Sequence, residues 1–260
     1  MARILAITNQ KGGVGKTTTG VNLAASLAAT RQRVLLVDLD PQGNATMGSG
    51  IDKRALKATV YQVLLGEKSL AQVRVRAGNG EYDVVPANRD LAGAEVEMVD
   101  MEHREGRLKS AIAAHAEEYD FVLIDCPPAL NLLTVNGLTA ADAVMIPMQC
   151  EYYALEGLSD LVQTVKKVRE RLNPNLEIEG LLRTMYDPRN MLAQQVSQQL
   201  LDHFGDKVYR TVIPRNIRLA EAPSHGLPVM HFDRASKGAQ AYIALAGEML
   251  NRNTASATSL

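Results

Sequence analysis

The sequence predicts an α/β domain: a single doubly wound, mostly parallel sheet with helices on both faces. Three observations carry this. Short, continuously apolar runs alternate with longer segments of helical spacing, the pattern of strands covered on both sides. Two of these runs end directly in aspartate, at Asp38 and Asp125. A glycine-rich stretch separates the first apolar run from the first helical segment.

The elements follow in order. Arg3 to Thr8 is the first strand. Thr17 to Ala29 has helical spacing through Val21, Leu23, Ala24, Leu27 and Ala28. Val34 to Val37 is a strand that ends in Asp38, Asp83 to Pro86 is another, and residues 103–117 read as a helix. Phe121 to Asp125 reads as a central strand, stopped by Pro127 and Pro128. Residues 131–140 are helical, Ala143 to Pro147 is a strand, and Leu155 to Leu172 is a long helix stopped by Asn173-Pro174. Ile178 to Thr184 is a strand, Met191 to Phe204 a helix, Val208 to Ile213 a strand and Ala235 to Leu250 the last helix. No break in composition, linker or repeat divides them. The reading is one domain over residues 1–250, with the small polar residues 251–260 as a frayed tail. Ligands in such folds sit at the carboxyl ends of the strands.

The 260 residues suit one α/β domain with a large sheet and are enough to bury a core without staples. The chain is 46% apolar and 22% charged, with no Trp and three Phe, so the core must be aliphatic. No run of eighteen apolar residues and no leader at Met1 is present, which predicts a soluble, cytoplasmic protein. Cys126 and Cys150 lack the spacing of a zinc or redox motif and read as small buried hydrophobes. Net charge is −1, yet residues 161–260 carry 13 Lys and Arg against 9 Asp and Glu. That asymmetry points weakly to a local nucleic-acid face.

The strongest local signal is Gly12-Gly13-Val14-Gly15-Lys16-Thr17-Thr18, between a predicted strand and a predicted helix. This is the context of a phosphate-binding loop. Glycines let backbone N–H groups turn towards phosphate oxygens, and the helix adds its positive end. Lys16 can reach the β- and γ-phosphates, and the Thr17 hydroxyl can ligate Mg²⁺. A carboxylate at a strand end, as at Asp38 and Asp125, can hold Mg²⁺ directly or through water.

The usual first glycine of such a loop is replaced by Gln10, and the stretch from Lys11 to Thr17 has the form K-G-G-x-x-x-K-T. In this the sequence resembles the deviant-Walker P-loop ATPases, which include ParA/Soj partition ATPases, MinD and the nitrogenase iron protein. The resemblance covers about residues 2–250. It resembles chromosomal ParA/Soj closely in Asp38 to Asn44, Glu151 to Gly157, Thr184 to Asp187 and Ile213 to Ser224.

The resemblance implies an ATPase that uses ATP with Mg²⁺. It implies that Lys11 crosses a dimer interface to phosphates bound by a second copy, neutralising charge that would otherwise push the copies apart. Asp125 becomes the Walker B acid, Asp38 an organiser of Mg²⁺ and its waters, and Asp40 the residue that orients the attacking water. Pro214 and Asn216 would lie against the adenine, and Glu151 near the nucleotide across the dimer. Arg189 and Arg218 match positions that bind DNA without sequence preference, and Arg215, Lys207, Arg210 and Lys237 could extend that patch. A ParB-like centromere-binding protein is the expected activator of slow hydrolysis, and the nucleoid the expected location. With the first strand at Arg3, no room remains for an N-terminal helix-turn-helix, so operator binding is not expected.

Three rival functions fit less well. A membrane-cycling ATPase like MinD needs an amphipathic C-terminal helix, and Asn251 to Leu260 has almost no apolar face. An electron-transfer ATPase needs cysteine ligands for a cluster, and Cys126 and Cys150 are insufficient. Nothing in the loop favours a nucleotide-binding scaffold without turnover.

Overall fold

The apolar runs pair into an eight-stranded sheet because each can bury both of its faces. The computed structural model describes residues 2–78 and 81–257. Its strands are β1 (Arg3–Ile7), β2 (Val34–Asp38), β3 (Val75–Arg76), β4 (Asp83–Val85), β5 (Phe121–Asp125), β6 (Ala143–Gln149), β7 (Glu177–Tyr186) and β8 (Val208–Pro214). Their order in the sheet is β3-β4-β2-β5-β1-β6-β7-β8. All neighbours pair parallel except β3 with β4. Strands β2 and β5 are buried at every residue.

Side chains leave each strand alternately. Leu5, Leu36, Leu123 and Met145 enter one core, and Ala6, Leu35, Val122 and Val144 the other. The first core is roofed by α1 (Lys16–Ala29), α2 (Asn44–Gly48), α10 (Ile217–Glu221), α11 (Val229–Phe232) and α12 (Lys237–Ala257). The second is roofed by α3 (Val60–Leu65), α4 (Leu70–Val73), α5 (Leu91–Glu97), α6 (Arg107–Ala113), α7 (Leu132–Ala140), α8 (Ala154–Arg171) and α9 (Met191–Phe204). This is the expected doubly wound class.

Some bounds differ from expectation. Residues 103–117 are not one helix: His103 adopts φ 53, a left-handed conformation no helix can carry, so α6 starts only after Gly106. Short 3₁₀ turns at Arg104–Gly106 and Ala116–Glu118 flank it. The last helix, α12, runs to Ala257, past the expected end at 250, and residues 258–260 lie outside the described residues.

Register brings the ligand edge together. Asp38 pairs with Asp125, and Asp125 with Ile7. By parity with Leu36 and Leu123, both aspartates point to the α1 face. Helix α1 packs against them at Gly20, where a Cβ would stand in ordinary contact with Asp125 Cβ at 3.7 Å and Leu36 at 3.4 Å.

Candidate functional site: a phosphate and magnesium cradle

The loop after β1 is shaped by two left-handed glycines, Gly13 at φ 73 and Gly15 at φ 87. Val14 between them is buried, and its carbonyl accepts the Thr184 hydroxyl at 2.8 Å, which pins the loop to β7. Helix α1 then begins at Lys16 with no side chain capping its first turn and no acid within it. Its first N–H groups and its positive end are left to an anion.

Lys16 is 7% exposed. Its Nζ donates to the Lys11 carbonyl at 3.0 Å. Burial lowers its pKa, while Asp125 and Asp40 nearby hold the proton on. A desolvated ammonium at the mouth of a helix is a strong phosphate ligand.

Asp125 is fully buried, and neither carboxylate oxygen has a hydrogen-bond partner. Burial, and then the charge of Asp38, push its pKa well above the usual carboxylate range; the nearby Thr17 hydroxyl works the other way. Asp38, equally buried, is differently served. Its Oδ2 accepts the Thr46 N–H at 2.8 Å and the Thr46 hydroxyl at 2.7 Å, and its Oδ1 accepts the Asp40 N–H at 3.1 Å. Burial still raises it to about 6. Asp40 is half-buried at the loop surface, and its Oδ1 accepts the Gln42 N–H at 2.9 Å, closing a tight turn.

An orphaned buried carboxylate beside a threonine hydroxyl and a hydrogen-bonded carboxylate fits Mg²⁺. That ion takes one or two carboxylates and completes its shell with phosphate oxygens and water.

Pro214 and Asn216 line a cavity of about 410 Å³ with Gly15, Thr18, Thr184 and Met185, continuous with the phosphate loop. Asn216 also caps α10, its Oδ1 accepting the Arg218 N–H at 3.0 Å. Met185 holds the strained φ of 47 at this edge.

Lys11, Gly12 and Gly13 are exposed at the crest of the loop. Lys11 Nζ meets Glu151 Oε2 of the same chain at 2.5 Å. Beside Glu151, Tyr152 and Tyr153 are 74% and 68% exposed and pack edge to face at 5.0 Å. The sequence pattern assigns these tyrosines no role; their exposure is the missing signal.

The basic residues are not one open patch. Arg189 is held on both sides by Asp187, at 2.9 and 2.8 Å. Arg218 meets Glu221 at 2.8 Å and Asp233 at 3.2 Å. Arg215 is exposed and lines the nucleotide-edge cavities. Lys207 and Arg210 sit instead at the amino end of β8, in a cavity with Arg3 and Arg252. Strand β8 separates that end from Pro214 by roughly 20 Å, at ~3.3 Å per residue. Lys207 and Arg210 therefore lie towards the opposite end of β8 from Arg215 and Arg218. Both cysteines are free and buried, as expected. Among the described residues, no helix is long and apolar enough to cross a membrane.

Comparison with known proteins agrees with this geometry. The family model of the AAA domain matches residues 2–178. The sporulation initiation inhibitor protein Soj of Bacillus subtilis is 55% identical, over 96% of this chain and 98% of that one. The chromosome partitioning protein ParA of Caulobacter vibrioides is 52% identical, over 96% of this chain and 94% of that one. A structure of cobyrinic acid a,c-diamide synthase from Mycobacterium smegmatis, with bound ATP analogue and magnesium, superposes with a TM-score of 0.86. It is 40% identical, covering 98% of this chain and 96% of that one.

Proposed function

The chain belongs to the ParA/Soj family of chromosome-partitioning ATPases, and we propose that it segregates a chromosome or plasmid by an ATP-driven cycle. Mg²⁺ and ATP join two copies face to face. The pair binds double-stranded DNA without sequence preference. Hydrolysis, slow alone and stimulated by a ParB-like centromere-binding partner, releases it. The protein is then cytoplasmic and held at the nucleoid by DNA, without stable membrane association.

Within one copy, Lys16 and the N–H groups of Gly13 to Thr18 hold the phosphates, and Pro214 and Asn216 flank the base. Thr17, Asp125 and Asp38 serve Mg²⁺, which supplies charge neutralisation on the phosphates. Asp40 orients the water; phosphoryl transfer asks for positioning more than for a strong base.

The observation that carries the paired state is the position of Lys11. Lys16 is the buried cation of the cradle, whereas Lys11 lies outside it in an exposed pair with Glu151. Such pairs contribute about 0–1 kcal/mol, so a triphosphate on a second copy competes easily for the amine. Gly12 supports the same reading. A Cβ there would meet nothing within 4 Å, so its space is not taken by its own chain and is free for a close neighbour. The exposed tyrosines add apolar surface at that face.

Arg189 and Arg218 are the proposed DNA contacts. Each must exchange its own carboxylates for DNA phosphate, so one copy binds weakly, and two linked copies gain by avidity. Counterion release makes the binding fall steeply with salt.

Retention on DNA with ATP, with ADP and without nucleotide, across a salt series, is the test. ATP should give the strongest retention, and equal retention in all three states defeats the proposal. Light scattering of Gly12→Val with ATP tests the pairing. That variant should bind nucleotide and stay single; a normal pair would contradict the role given to this face.

A further inference from the structure

Asp38 is held by three donors, and two of them come from one residue that no sequence motif singled out. Thr46, in the first turn of α2, gives both its N–H and its hydroxyl to Oδ2. Both residues are 0% exposed. The hydroxyl is itself fixed from behind, because its oxygen accepts the Ala87 N–H at 2.9 Å. With a backbone donor on its lone pair, the hydroxyl turns its proton towards the carboxylate. The adjoining loop is seated on the same point. Gly43 has φ 62, and a Cβ there would come within 2.6 Å of the Ala87 carbonyl oxygen. The chain after β4 is thus the backstop for the loop that carries Asp38 and Asp40.

We propose that Thr46 is a positioning residue for the Mg²⁺-dependent reaction. It acts through Asp38, fixing the orientation of that carboxylate against the backbone of Ala87. A carboxylate offers about four acceptor sites. Three are taken here by this chain, which leaves the remainder for the ion or one of its waters. Freed from Thr46, the Asp38 carboxylate could rotate, and the ion would lose a pre-set partner. The inference rests on the reading that Asp38 serves Mg²⁺.

The test is a Mg²⁺ titration of the binding of a fluorescent ATP analogue to the full chain, repeated in EDTA. Thr46→Val keeps the shape and removes the hydroxyl. It should raise the Mg²⁺ concentration for half-maximal binding by about tenfold or more, and leave binding in EDTA unchanged. Thr46→Ser restores the hydroxyl and should return the titration close to the parent. Should the valine variant fail to fold, Thr46→Ala gives the same measurement. Equal weakening with and without Mg²⁺ would make Thr46 merely structural and overturn the proposal, as would an unchanged Mg²⁺ requirement. Asp38→Asn separates the two readings. If it shifts the Mg²⁺ requirement and the Thr46 variants do not, the inference about Thr46 alone falls. If it shifts nothing, the assignment of Asp38 falls and takes this inference with it.

Discussion

The carboxyl ends of β2 and β5 lie side by side, each closing in a fully buried aspartate, in register with one another. Asp38 has three donors and Asp125 has none. The difference is set by the segment leaving each strand. After β2 the chain folds back through Asp40 and into α2, and its backbone N–H groups arrive over the carboxylate. After β5 come Pro127 and Pro128, which have no N–H to offer. One aspartate is therefore satisfied by protein. The other is left with a demand that a cation can meet. Identical residues on identical backbone acquire different chemistry from the few residues downstream.

The same substitution at both ends breaks or sharpens this comparison. The largest effect is expected on turnover. Asp125→Asn should lower Mg²⁺-dependent ATP hydrolysis by ~10²-fold or more, the scale on which a dedicated charge stabiliser acts. A steady-state phosphate-release assay checks it, and near-parental turnover would mean that the orphaned carboxylate is no part of the site.

Next in size is stability without metal or nucleotide. At position 38, an amide NH₂ would face donors that a carboxylate oxygen now accepts. Asp38→Asn should cost about 1–3 kcal/mol, the penalty for unsatisfied buried groups. Asp125→Asn should move the other way, because it removes a fully buried charge whose oxygens accept no hydrogen bond. Urea unfolding of both variants measures the pair; shifts of the same sign would erase the distinction between the two strand ends.

A smaller effect is expected from pH. Asp38, raised to about 6, and Asp125, raised well above the usual carboxylate range, bind protons more tightly folded than unfolded. From the unfolded carboxylate range near pH 4 upward, the folded state then holds more protons than the unfolded one, so this contribution to stability falls as pH rises. For Asp38 the fall is complete above about 6. The advantage of Asp125→Asn over the parent should accordingly be least near pH 4 and grow towards pH 7. Thermal melts across that window would show it, and an advantage that shrinks with pH would contradict the assignment. Last, Mg²⁺ with nucleotide should raise the melting temperature of the parent more than that of Asp125→Asn.

Much of this architecture is readable in the chain. The phosphate loop, its strand and its helix are contiguous, so spacing alone places Lys16 and Thr17. Asp38 and Asp125 are visible as acids ending apolar runs. The hidden parts depend on contacts far apart in sequence or on elements too short to have a period. Helix α2 has five residues, less than two turns, and Thr46 gains meaning only when α2 folds over β2. Two-residue β3 is recognisable only by its antiparallel partner. The acids that hold Arg218 lie at positions 221 and 233, and nothing in the pattern of charges foretells that both turn to it. The 3₁₀ turn before α6 follows a left-handed backbone angle at His103 that periodicity does not encode.

The register between β2 and β5 also bears on folding. Alternate side chains leave a strand on opposite faces, so a slip of one residue would send Asp38 into the aliphatic core beneath α3 to α9 and present Leu39 or Val37 in its place. Such a misthreaded chain could still bury most of its apolar surface, yet it could not assemble the acid pair. Nucleotide with its metal would thus stabilise only the correctly threaded sheet.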